Sequence, residues 1–191
     1  MQPEMRSSGD AGVSLAEELS ALALHDPVIV VFSPQAIGPA FEAAQRLGCE
    51  LDLLLVGYIL APGHPEQVIG SVLDLAVPRV SIDEGLAREF HVPPGYLNTE
   101  RQHQIAELER LHFMYLGDDD PARHDHAGKD VVLLDDGAND EVLTLVTEMF
   151  DNAGALSVRV VDIRSFDGPP IDDMTIAHLL KEARRLRKRI H

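Results

Sequence analysis

Apolar residues come in short unbroken runs separated by stretches with helical spacing. Val28–Phe32, Leu51–Tyr58 and Val131–Leu134 read as core strands, the first and last too continuously apolar for half-exposed ones. Such runs, bounded by turn residues, predict strands buried on both faces of a sheet. Between the first two, Pro39 can occupy the first turn of a helix ending at Leu47, with Gly48 as its C-terminal stop. This β-α-β unit predicts parallel strands and a right-handed crossover. Ahead of it, Leu15, Leu19 and Leu22 space an amphipathic helix. Ser14 and Glu17 there form a capping-box pattern.

Beyond Ala61-Pro62-Gly63-His64-Pro65 the runs shorten. Gln67–Leu75 and Arg79–Ile82 predict a small antiparallel flap. Asp83–Phe90 predicts a short helix with Asp83 near its start. After the break at Val92–Gly95, Leu97–Tyr115 is the longest helical pattern, with Ile105, Leu108, Leu111 and Met114 on one stripe. Gly117–Lys129 is a polar loop. Val131–Leu134 ends on Asp135-Asp136-Gly137-Ala138-Asn139-Asp140, and Glu141–Phe150 resumes helical spacing. Ser157–Ile163 is the last strand, with Val158 and Val160 alternating with Arg159. Asp172 to about Arg189 is a terminal helix. The alternation predicts a mainly parallel α/β sheet flanked by helices.

Composition narrows the classes. The chain has 191 residues, 45% hydrophobic, and a formal net charge of −16. That fits one domain with extensions, argues against nucleic-acid binding, and favours cationic partners. A single cysteine, Cys49, excludes an internal disulfide and a cysteine-based zinc site. Met1–Gly9 is polar, is expected to be a flexible N-terminus, and lacks the apolar core of a signal peptide. No stretch approaches the ~18 apolar residues of a membrane span. The expectation is a cytoplasmic protein without a membrane partner. The terminal helix gathers Lys181, Arg184, Arg185, Arg187, Lys188 and Arg189. Cations at a helix C-terminus suit the macrodipole, and this basic end (166–191) is expected to pack on the same domain (10–165).

Asp135 and Asp136 lie at the carboxyl end of a predicted parallel strand, where ligands sit in open α/β sheets. Paired carboxylates there suit a sugar diol, a magnesium ion carried by phosphates, or a general base. The plainer reading is an Asp that turns the chain and caps the next helix. His124-Asp125-His126, preceded by Asp118-Asp119-Asp120, carries metal-ligating types, but alternating histidines on a polar loop read as a solvated surface. No metal site is expected. His64, His91, His103 and His112 share no helical metal-pair spacing.

The strand ending in Asp135-Asp136-Gly137 resembles the PRPP-binding motif of type I phosphoribosyltransferases: a hydrophobic strand, two acids, a Gly, then a Thr/Gly-rich loop opening a helix. Other stretches are similar to a bacterial phosphoribosyltransferase-like subgroup. These are Asp10-Ala11-Gly12, Val28–Pro39, Ile59-Leu60-Ala61-Pro62-Gly63-His64-Pro65-Glu66 with Ile69-Gly70, and Arg101-Gln102 with Glu107-Leu108, Tyr115 and Gly117. Together they span 10–163. The resemblance implies a Rossmann-like phosphoribosyltransferase fold with a small flap or hood. It also implies a homodimer and a glycosyltransferase activity that binds a phosphorylated sugar ligand with Mg2+. It would place Asp135 and Asp136 in catalysis, and Gln35, Ala36, Tyr58, Gly137, Ala138, Asn139 and Asp140 around the ligand.

The phosphate half of the motif departs from the family. Where the family has a turn such as Ala-Thr-Gly-Ala-Thr, this chain has Asn139-Asp140-Glu141-Val142-Leu143. Gln35-Ala36-Ile37 stands for Arg-Gly-Gly, Gly57-Tyr58 for Arg-Lys, and Leu116 for an Arg after the Tyr. Electrostatic donors aimed at the pyrophosphate are usually the largest catalytic contribution. Their loss favours a divergent member inactive toward PRPP. The alternatives are an active phosphoribosyltransferase of nucleobase or nucleotide metabolism and a non-enzymatic interaction or regulatory subunit. Arg79, Arg101 or Lys129 would have to supply the missing cations. Because the chain runs from Ile163 straight to its terminal helix, that helix or a second subunit is expected to cover the sheet edge.

Overall fold

The computed structural model describes residues 8–117, 124–164 and 170–190, with side chains over 11–117, 124–164 and 170–185. The chain forms two compact units. The first comprises residues 1–53 and 124–191, the second 54–123.

The first unit holds a four-stranded parallel sheet in the order β2-β1-β6-β7, where β1 is Pro27–Val31, β2 Glu50–Leu53, β6 Asp130–Asp135 and β7 Ser157–Asp162. Helices α1 (Ser8–Ser20), α2 (Ile37–Leu47), α5 (Asp140–Asn152) and α6 (Asp173–Ile190) flank it. The β1-α2-β2 crossover is parallel, as the spacing predicts, and Gly48 ends α2 in the left-handed region at φ +66°. Val28–Val31 and Val131–Leu134 are fully buried, so the two central strands supply the core. Each such Val or Leu contributes about 1.5–3 kcal/mol by leaving water.

Four expectations change here. Helix α1 begins at Ser8, taking in Ser8 and Gly9, so Ser14 lies inside it rather than at its N-cap position. Its buried stripe starts at Ala11, too small to stand out in a hydropathy pattern, and continues through Leu15, Ala16 and Leu19. A 3-10 turn, Pro34–Ala36, precedes α2, with the Ser33 hydroxyl accepting from Gln35 N. On β7, Val161 is buried while Arg159, Val160 and Asp162 are exposed, because β7 has a strand neighbour on one side only. Helix α6 packs on α2 and β2, at the other end of the strand order, rather than over the β7 edge. Gln35 and Asp172 organise its approach. Gln35 bonds Ile171 through both amide atoms, and Asp172 accepts from Thr175 N and Oγ1. The basic run of α6 beyond Arg185, the residues Asp118–Asp120 and those N-terminal to Ser8 lie outside the described side chains or residues.

The second unit is an antiparallel three-stranded sheet, β3 (Val56–Ala61), β4 (His64–Leu73) and β5 (Arg79–Ile82), with α3 (Glu84–Glu89) and α4 (Tyr96–Tyr115). The expected strand Leu51–Tyr58 is therefore two strands in two sheets. The apolar run Leu53–Val56 hides the change at Leu54-Leu55, which are both buried. The flap and the Asp83 cap agree with expectation, Asp83 accepting from Leu86 N at 2.9 Å. On α4 the buried face is Leu108, His112 and Tyr115, spaced i, i+4, i+7, and the predicted stripe shares only Leu108 with it. Tyr96 donates its hydroxyl to Leu60 O at 2.9 Å, tying the start of α4 to β3. No helix among the described residues is long and apolar enough to cross a membrane.

Candidate functional site

β1 and β6 are parallel neighbours in register to Val31 and Leu134, so the loops that follow them leave the same end of the sheet. This brings Gln35 and Ala36 to the end of the sheet that carries Asp135–Asp140. Asp135 is buried at 8% exposure, and Asp136 is half-buried. Tyr58 lies on β3 in the second unit, half-buried.

The turn after β6 satisfies itself. Asp135 Oδ1 accepts from Gly137 N at 2.9 Å and Ala138 N at 2.8 Å. Gly137 sits at φ +114°, a conformation that a side chain would strain. Asn139 is the N-cap of α5, its Oδ1 accepting from Glu141 N at 2.8 Å. A helix N-terminus offers its first-turn amides to an anion; here one of them, Glu141 N, is held by Asn139, and the two turn amides ahead of the helix, Gly137 N and Ala138 N, are held by Asp135. Asp140 and Glu141 then fill the exposed first turn of α5. They stabilise the helix dipole and repel a phosphate.

β7 adds a cation that the sequence reading missed. Arg164 clasps the Asp162 carboxylate, and Ile163 N donates to Asp135 O at 2.8 Å, so Arg164 follows directly from the strand beside the acidic turn. The side-chain bond from Arg164 holds the Asp162 carboxyl down to about 2. Asp162 in turn raises the Arg164 guanidinium, with Asp135 and Asp140 adding smaller pulls. The available signal is the Asp-Ile-Arg ending of the last strand, which no periodicity ties to the acidic pair on β6. Among the described residues, the carboxyl end of β6 and β7 thus carries Asp135, Asp136, Asp140, Glu141 and Asp162 against Arg164.

Two of the other candidate cations, Lys129 and Arg101, are engaged elsewhere. Lys129 pairs with Glu50, with Asp26 at 3.9 Å. Arg101 donates to Asn98 Oδ1 at 3.0 Å. Gln35, expected at the ligand, is tied to Ile171 ahead of α6.

A second constellation lies on β2. Asp52 Oδ2 accepts from His124 Nδ1 at 2.6 Å and from His126 Nε2 at 2.8 Å, while Oδ1 accepts from Leu53 N at 2.9 Å. The histidine side chains are 3% and 5% exposed. The reading of His124-Asp125-His126 as a solvated loop is therefore corrected. The segment turns both rings inward onto a carboxylate 72 and 74 positions earlier in the chain. Burial pushes the Asp52 carboxyl up, but the charge and hydrogen bonds of the two imidazoles outweigh it and hold the group well below the usual range. An Asp inside an apolar strand, Glu50-Leu51-Asp52-Leu53, was the available signal.

No family model matches the chain. It is 30% identical over 129 residues to "Putative phosphoribosyl transferase Rv0571c" and to "Putative phosphoribosyl transferase MT0597", both of Mycobacterium tuberculosis (strains H37Rv and CDC 1551). The match covers 68% of this chain and 28% of each relative, so the chain spans well under half the length of the curated relatives it matches. Among solved structures, it resembles TT1426 of Thermus thermophilus with a TM-score of 0.65 at 23% identity, over 94% of this chain and 99% of that one. That likeness establishes the fold. Across its matched residues the chain is phosphoribosyltransferase-like, a sequence relative of proteins carrying that name on an α/β fold of four parallel strands flanked by helices.

Proposed function

We propose that this chain is a divergent phosphoribosyltransferase-like domain that does not use PRPP productively. One observation supports the reading above the rest: three amides after β6, those of Gly137, Ala138 and Glu141, are already bonded to Asp135 and Asn139. A phosphate would have to displace those bonds and face Asp140 and Glu141, whose like charge repels it. Mg2+ favours hard oxygens, which Asp135 and Asp136 offer. The phosphate half of a magnesium–PRPP pair does not fit the acidic turn, where Asp140 and Glu141 stand.

The experiment is a thermal-shift titration of the full chain with PRPP and Mg2+, followed by a pyrophosphate-release assay across the nucleobases. A ligand at a hundred times its Kd adds ~2.7 kcal/mol of stability. The expected result is neither a shift nor release. Nucleobase-dependent pyrophosphate release refutes the reading.

A further inference from the structure

We infer that Asp52, His124 and His126 form a binding site for a divalent transition-metal ion of the zinc class. Each offers one ligand atom, and those atoms all lie within 4.8 Å of one another. Two imidazole nitrogens and one carboxylate oxygen make a donor set that suits Zn2+ and leaves a fourth position open.

The donors are held in place. Asp52 is on a strand of the parallel sheet, and the Leu53 amide pins its other oxygen. The His126 ring lies 5.5 Å, centroid to centroid, from the buried Phe150 ring of α5. Among the described residues no Lys or Arg reaches Asp52, whose partners are the two imidazoles and that amide.

The other nitrogen of the His126 ring, Nδ1, is buried with no hydrogen-bond partner among the described residues, and it diverges from the Nε2 that meets Asp52, so it lies outside the donor set. The two bonds to Asp52 Oδ2 also direct two N–H groups at a single oxygen. One metal ion replaces both protons. Tetrahedral zinc with bonds of ~2.0 Å spaces its donors about 3.3 Å apart, so the cluster opens by roughly half an ångström from its present 2.6 and 2.8 Å.

The cluster also sits at both chain crossings between the units. Asp52 is next to Leu53, the last residue before the chain enters the second unit, and His124 is the first residue after it returns. Metal binding therefore cross-links the outgoing strand to the incoming segment within the first unit.

The test uses the chain stripped with a chelator and titrated with Zn2+, Co2+ and Mg2+. Expected are one equivalent of Zn2+ bound, a rise in Tm, visible ligand-field bands with Co2+, and no response to Mg2+. His126→Gln and Asp52→Asn, checked for native far-UV circular dichroism, should each weaken Zn2+ binding at least tenfold, whereas exposed His103→Gln should not. The wild-type chain alone decides if the variants fail to fold. Absence of both Co2+ bands and a Zn2+ shift overturns the assignment. So does Zn2+ binding that survives in folded His126→Gln and is lost in His103→Gln.

Discussion

His112 donates from Nδ1 to Asp74 Oδ2 at 2.7 Å, with both side chains buried in the second unit at 7% and 4% exposure. The bond joins α4 to the residue that follows β4. Truncating one partner leaves the other buried without its hydrogen bond, at about 1–3 kcal/mol. His112→Leu should therefore lower stability by ~2 kcal/mol in a urea titration. The double variant His112→Leu/Asp74→Leu should recover part of that loss, because the carboxylate that His112→Leu leaves unpaired from its imidazole is removed as well. Equal loss in single and double variants would show that packing rather than the bond matters.

Asn139 caps α5 while the next two residues place negative charge in its first turn. Asn139→Ala removes the acceptor for Glu141 N and should cost about 1 kcal/mol, read as a lower Tm. Rebuilding the loop toward the family, with Asn139→Ala, Asp140→Thr, Glu141→Gly, Val142→Ala and Leu143→Thr, removes the repelling acids. It also fills out the phosphate turn. That variant should bind ribose 5-phosphate by calorimetry where the parent does not. Val142 is buried, so folding must be verified before a negative result is counted.

Cys49 is 8% exposed, and burial pushes its thiol up to about 12. At about pH 8 roughly one molecule in ten thousand then carries the reactive thiolate. A water-soluble disulfide reagent should leave the native chain unmodified on the timescale that labels it fully in denaturant. Rapid labelling of the native chain would place the thiol in solvent.

Asp130 accepts from His25 N at 2.6 Å and Ser157 Oγ at 2.5 Å, and these bonds hold its carboxyl below the ordinary range. A group whose pKa falls on folding binds its proton first in the unfolded chain. Its stabilisation is complete above the unfolded value near ~4 and is lost as pH drops through the folded value. Denaturation midpoints should therefore fall more steeply below about pH 4 in wild type than in Asp130→Asn. The variant should be the less stable of the two at neutral pH. Parallel acid profiles would remove Asp130 from the account.

The local pattern carried much of the fold. Runs such as Val28–Phe32 and Val131–Leu134 can only be central strands, because a strand apolar on both faces needs cover on both. Asp83 and Gly48 mark helix boundaries because capping is chemistry between residues a few positions apart. The acidic turn was legible for the same reason, and Asn139, Asp140 and Glu141 act on the amides beside them. Three-dimensional pairing decided the rest. The run Leu51–Tyr58 divides between a parallel and an antiparallel sheet, since hydropathy reports burial and not which strand is the partner. Val160 is exposed because β7 has one strand neighbour. His124 and His126 looked solvated because the residue that draws them inward, Asp52, lies far away in sequence, and no periodicity encodes a bond that only the closed sheet can form.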